Sequence, residues 1–263
     1  MLALKLALVA ASILVATLAA RRYGHALGGI VGGMPMIAAP ICAVLLLGIG
    51  ADAVRAIALA ALVCIPGSIV HSVSVAWTAR VAPWPVSVGF GLVLFTIVGL
   101  AFTWLQLPPA ASCVVALAAP SLGLLASPRV ARTIGPVHLP RAEIVLRIVA
   151  AVVMAAAVIL STDAFPPAVS GLLLAVPITG TVMPCFTLPR HGAQATAALM
   201  GGFIMGLHGF AAFFVVLYLA LGEMPRVSAF ALALISAGLV AGAAQWMRRA
   251  NILNRPPHDK SLP

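Results

Sequence analysis

Apolar positions along this chain neither alternate nor mark out one face of a helix. They run on in blocks, each bounded by proline, glycine or arginine. A block of about 18 or more apolar residues is long enough to cross a hydrocarbon layer of about 30 Å as a helix. The first block ends near Ala20, and others follow at 27–47, 52–77, 85–106, 109–128, 143–161, 166–188, 193–221 and 227–247. The pattern predicts an all-α integral membrane protein of about nine transmembrane helices. Connections are short and rich in proline and glycine, as at Pro83–Pro85 and Pro108–Pro109. Residues 248–263 are polar and proline-bearing, which predicts a disordered cytoplasmic tail. The first block ends in a small-residue stretch resembling a signal-peptide cleavage site. Arg21 and Arg22 follow it directly, and it has a counterpart later in the chain, so it is read as the first crossing.

Charge fixes the expected orientation. Most basic residues, among them Arg21, Arg80, Arg129, Arg147 and Arg190, fall on one side of the predicted crossings, and only Lys5, Arg55 and Arg226 on the other. Basic loops stay in the cytoplasm. The reading is therefore a bacterial inner-membrane protein with a periplasmic N-terminus and a cytoplasmic C-terminus, which an odd number of crossings satisfies. Of 263 residues, 63% are hydrophobic and 8% charged, and mean hydropathy is +1.18, which excludes a soluble domain. The formal charge of +10 is scattered through the loops without interleaved aromatics, so no nucleic-acid partner is expected. The expected partners are the lipid bilayer and a small-molecule solute of unknown identity, with a homo-oligomer left open.

Internal similarity organises the rest. An offset of 142 residues pairs Pro35 with Pro177, and without gaps also Gly50 with Gly192, Gly67 with Gly209, Pro83 with Pro225 and Trp104 with Trp246. Glycine and proline carry backbone roles, so such matches weigh more than matched Ala or Leu. The layout is one transmembrane domain, 1–247, with repeat 1 at 1–106, a linking helix at 109–128 and repeat 2 at 143–247. A single crossing between two four-helix copies turns the second upside down, an arrangement that resembles inverted-repeat carriers in general.

Such carriers bind solutes near the midplane, where helices are interrupted. The candidate substrate-binding positions are Pro35, Pro66, Gly67, His71, Pro177, Thr179, Thr181, Gly206, His208 and Gly209. Pro66–Gly67 and Gly206–Gly209 are expected to break the third and eighth crossings, or alternatively to serve close packing. Thr179 and Thr181 could face a solute or back-bond to carbonyls freed by Pro177. His71 and His208 could carry a proton or donate across a helix contact. No acidic or basic residue falls at a predicted midplane, and His25 and His191 are expected at the cytoplasmic interface. The run Gly28–Gly33 reads as a helix-packing face. The four cysteines lie apart within apolar runs, so neither a metal nor a cofactor is expected. No hydrolase, zincin or paired-aspartate signature is present, and an enzyme is not expected. The leading expectation is a small secondary transporter moving a small organic or lipid-like solute. The alternative is a non-transporting subunit or lipid-handling scaffold of a larger complex.

Overall fold

A computed structural model describes residues 2–48, 50–130, 136–161 and 176–253, and among them the regular structure is entirely α-helical. The helices are α1 (Leu2–Tyr23), α2 (His25–Gly33), α3 (Ala38–Gly48), α4 (Ala51–Thr78), α5 (Trp84–Leu105), α6 (Pro109–Ala126), α7 (Arg141–Ser161), α8 (Ile178–Ala220) and α9 (Arg226–Leu253). With α2 and α3 taken together, eight stretches among the described residues are long and apolar enough to cross a membrane. The predicted seventh crossing, 166–188, is seen only from residue 176; its earlier part lies outside the described residues. Helix α9 runs to Leu253, past the start of the expected tail, and 254–263 lie outside the described residues.

The 43 residues of α8 are two arms, not one rod. At Gly192 the backbone takes φ 77° and ψ −176°, a conformation almost confined to glycine. A Cβ on Gly180 would lie 3.1 Å from the Phe203 ring. A straight helix would hold those residues about 35 Å apart. The arms 178–191 and 193–220 therefore fold back on each other around Gly192. Gly50, between α3 and α4, takes the related values φ 92° and ψ 174°. Replacing Gly192 with alanine is expected to cost about 1–3 kcal/mol, the usual strain of such a conformation. Thermal unfolding in detergent checks this against Gly238→Ala, an exposed helical site with open space around it. The control should be neutral or stabilising.

The second block breaks at Pro35. Residues 34–37 leave the helix, with Met34 extended at φ −74° and ψ 162°, separating α2 from α3. The expected breaks at Pro66–Gly67 and Gly206–Gly209 do not occur: α4 and the second arm of α8 run helically through both. The physical reason is packing. Gly67 lets the Phe95 carbonyl of α5 within 3.1 Å of where a Cβ would stand, and Gly209 admits the Ala237 carbonyl of α9 to 2.8 Å. Helices pressed this closely can carry a proline without unwinding, because neighbours hold the freed backbone groups.

The tightest crossing joins α2 to the second arm of α8. Cβ atoms added at Gly29 and Gly33 would collide with the carbonyls of Leu199 and Phe203; those added at Gly202 and Gly206 would collide with the carbonyls of Ala26 and Ile30. Two small-xxx-small faces thus interlock, as the run Gly28–Gly33 predicts. Helix α6 lies across α4 and α8: Trp77 Nε1 donates to the Ala126 carbonyl at 2.8 Å, and Gly123 sits beneath Ile69 and Ile204.

Candidate functional site

The break at 34–37 and the non-helical residues 176–177 that precede Ile178 border a cavity of about 410 Å³. Its wall takes Lys5, Val9 and Ser12 from the N-terminal half of α1, Ile37 from the break, and Ala38, Ile41, Cys42 and Leu45 from α3. Further contributions are Ile57 to Ser68 from α4, Ala155 to Ile159 from the end of α7, and Phe203 to Phe214 from α8. Consecutive crossings alternate in direction, so these stretches share one side of the molecule. The cavity therefore reaches from the level of the breaks toward the end bearing Lys5. Its size falls in the range of roughly 300–1,000 Å³ typical of small-ligand sites.

The opposite end is filled. Glu143 and Arg147, at the start of α7, are fully buried. They pair directly, Arg147 Nη2 to Glu143 Oε1 at 2.5 Å, while Arg190 Nη1 reaches Glu143 Oε2 at 2.6 Å. Arg147 also donates to Thr187 Oγ1 at 3.3 Å and Met183 Sδ at 3.1 Å, and its guanidinium lies 5.6 Å from the Phe186 ring centroid. Thr17 donates to the same sulfur at 3.6 Å, tying α1 in. Beside this cluster the rings of His25 and His191 pack at 4.7 Å. The expectation of loop arginines is corrected here. Arg147 is a buried member of an ion-pair network, and His25 is buried with only 7% of its surface exposed. Such a network forms only when its mutual hydrogen bonds offset the cost of removing charges from water. A sequence signal existed: Glu143 and Arg147 stand four apart on one helical face of an otherwise apolar segment.

Of the candidate positions, Pro177 and Thr179 line the cavity. Pro35 is buried in the break itself, while Pro66 is buried in α4 between the lining residues Ile65 and Ser68. His71 is fully buried, its Nε2 donating to the Gly180 carbonyl at 3.3 Å, which joins α4 to the first arm of α8. Thr181 is buried nearby. His208 faces α6, with Nε2 3.1 Å from Ser121 Oγ. Gly67, Gly206 and Gly209 meet neighbouring backbone at helix crossings and do not line the cavity. Sequence reasoning did not single out Lys5 or Ser12 for the site, because one lysine or serine in an apolar run gives no sign of which way it faces, whereas Ser68 could be read with Ser72, Ser74 and His71 as one face of the third crossing. No protein-family model, curated protein or solved structure matches this chain.

Proposed function

We propose that the chain is a small secondary carrier of the bacterial inner membrane, working by alternating access, with two inverted four-helix repeats joined by α6. The offset of 142 supports the repeats in backbone detail. Residues 51–78 and 193–220 are helices of equal length, each following a glycine of similar unusual dihedrals. Helices α5 and α9 both start directly after the paired prolines Pro83 and Pro225. The close contacts Gly67 with Phe95 and Gly209 with Ala237 are themselves 142 apart at both members.

The observation that carries the transport reading is, among the described residues, the unequal filling of two equivalent spaces. Lys5, Ile41 and Leu45 line the cavity, whereas Arg147, Met183 and Thr187, each 142 residues later, are in mutual contact. Two copies of one unit in different conformations give a site reachable from one face and sealed from the other. The conformation is outward-facing, with the Glu143 network as the cytoplasmic gate.

Thiol labelling tests this in a cysteine-free background. Leu45→Cys is expected to react with an impermeant methanethiosulfonate applied from the periplasm, and Thr187→Cys to resist it from both faces. Reporter fusions at His138 and Gly222 should read cytoplasm and periplasm respectively. Reaction of Thr187→Cys from the cytoplasm while Leu45→Cys is also reactive would describe a channel, not a carrier.

A further inference from the structure

We infer that the cavity binds a small organic anion with an apolar body, its charged end at the level of the two breaks. This rests on the carrier reading for the purpose of the site, but not for its chemistry.

The charge around the cavity decides the sign of the ligand. Lys5 lines it, and no acidic side chain does so among the described residues. Lys5 has no ion-pair partner among them, since the buried carboxylate of Glu143 is taken up by Arg147 and Arg190 at the other end. Two half-membrane helices begin at the wall: α3 with Ile37 and Ala38, and the first arm of α8 with Pro177 and Ile178. The N–H groups of Ala39, Ile41, Ile178 and Thr181 are taken up by the carbonyls of Pro35, Ile37, Val176 and Pro177, which leaves those of Ala38, Thr179 and Gly180 without a carbonyl one turn earlier within the helix. Each N-terminus acts as roughly half a positive charge, while the C-terminus of α2, also at the wall, contributes about half a negative one. The balance at the breaks is about +0.5, and the ammonium of Lys5 further out adds to the same sign, so an anion is favoured over a cation or a neutral polar solute.

A second observation points to a ligand independently of the dipoles. Ser12, Ser68 and Thr179 line the cavity and are 4%, 7% and 6% exposed. Their hydroxyls make no hydrogen bond to another described residue. Hydroxyls buried this deeply are normally paired, and helical Ser and Thr commonly bond the preceding turn, as Ser72 and Thr78 do here. Three free donors at the level of the breaks suit the oxygens of a carboxylate. The remaining wall is aliphatic and aromatic, with Phe203, Phe210 and Phe214 along one side, which suits an apolar body. Lys5 stands seven residues from Ser12 on α1, about 10 Å outward, where it draws anions toward the cavity.

The experiment uses the full chain in nanodiscs of zwitterionic phosphatidylcholine, so that no anionic lipid competes. Matched pairs are titrated by thermal shift and calorimetry: benzoate against benzamide, isovalerate against isovaleramide, octanoate against octanamide, with benzylammonium as the cation. At least one carboxylate should bind about tenfold more tightly than its amide, and benzylammonium should not bind. Lys5→Gln and Thr179→Val should remove most of that preference, while Lys5→Arg and Thr179→Ser retain it and show that the variants fold. The proposal fails if no carboxylate outbinds its amide, if benzylammonium binds best, or if Lys5→Gln leaves the preference intact. Carboxylate binding that depends on Lys5, without flux into proteoliposomes, would keep the site and remove the carrier. Reciprocal thiol labelling without carboxylate binding would do the reverse.

Discussion

Valine in place of both Gly202 and Gly206 is expected to abolish the folded protein. At both positions the added side chain would enter the carbonyl of a neighbouring helix, Ala26 for the first and Ile30 for the second. A side chain can relieve a clash by changing rotamer, but a helical carbonyl moves only with its helix. Overpacking usually costs about 1–3 kcal/mol, and with backbone on the far side the cost should reach or exceed the upper value. Net stability is only about 5–15 kcal/mol in ordinary proteins, so the double variant should not survive solubilisation. The measurement is the monodisperse fraction after size exclusion in mild detergent, together with the unfolding midpoint. Gly32→Ala sets the scale: the added methyl would meet the Cγ2 methyl of Thr179 at 2.5 Å, and a side chain can give way. Normal yield and midpoint for Gly202→Val would mean that α2 does not sit where described.

Glu143→Gln should have the next largest effect, seen first in conformation and only then in stability. The carboxylate holds Arg147 through Nε and Nη2 and Arg190 through Nη1. Glutamine keeps one oxygen but loses the charge, leaving a fully buried guanidinium with a neutral amide oxygen, Thr187 and Met183 as acceptors. Breaking one side of a buried pair costs about 3–5 kcal/mol. The protein can avoid that cost by opening the cluster to water. A bias of about 3 kcal/mol turns a 99:1 preference into near equality, since each 1.4 kcal/mol is a factor of ten. In the glutamine variant, Thr187→Cys should therefore become reactive from the cytoplasm while Leu45→Cys loses reactivity from the periplasm. Rescue is expected from Arg147→Met in the same chain, which removes the stranded charge and should restore both the unfolding midpoint and the original labelling. If Glu143→Gln unfolds the protein and Arg147→Met restores stability without restoring the labelling pattern, the network is structural and not a gate.

The helical class and most crossings were legible in the sequence because apolar length is a one-dimensional property that bilayer thickness selects. The break at Pro35 was legible too, since proline after Gly32-Gly33-Met34 leaves little to hold a helix together. Pro66–Gly67 misled for the complementary reason: whether a proline unwinds a helix depends on what leans on it, and Phe95 is nearly thirty residues away in sequence. The long helix over Gly192 was rightly divided, because crossings cannot exceed the membrane by a factor of two. The polar cluster was legible only in the four-residue spacing of Glu143 and Arg147. Its members come from α1, α2, α7 and α8, and a rule that sends arginines to loops counted Arg147 with its neighbours when its side chain turns inward. The cavity was half legible: Pro177 and Thr179 were placed at it, whereas Lys5 looked like an ordinary helix-end lysine.

The interlocking of α2 with the second arm of α8 also sets the order of events during synthesis. Gly29 and Gly33 leave the ribosome long before Leu199 and Phe203 exist to cover them. Until the last third of the chain is made, Gly29 and Gly33 have no partner, although Gly28 already packs on Ala16 and Ala20 of α1 and α2 with α3 is long enough to cross the bilayer. Packing around α2 must therefore finish late, and a chain truncated before residue 199 should be handed to membrane proteolysis instead of accumulating as a half-built bundle.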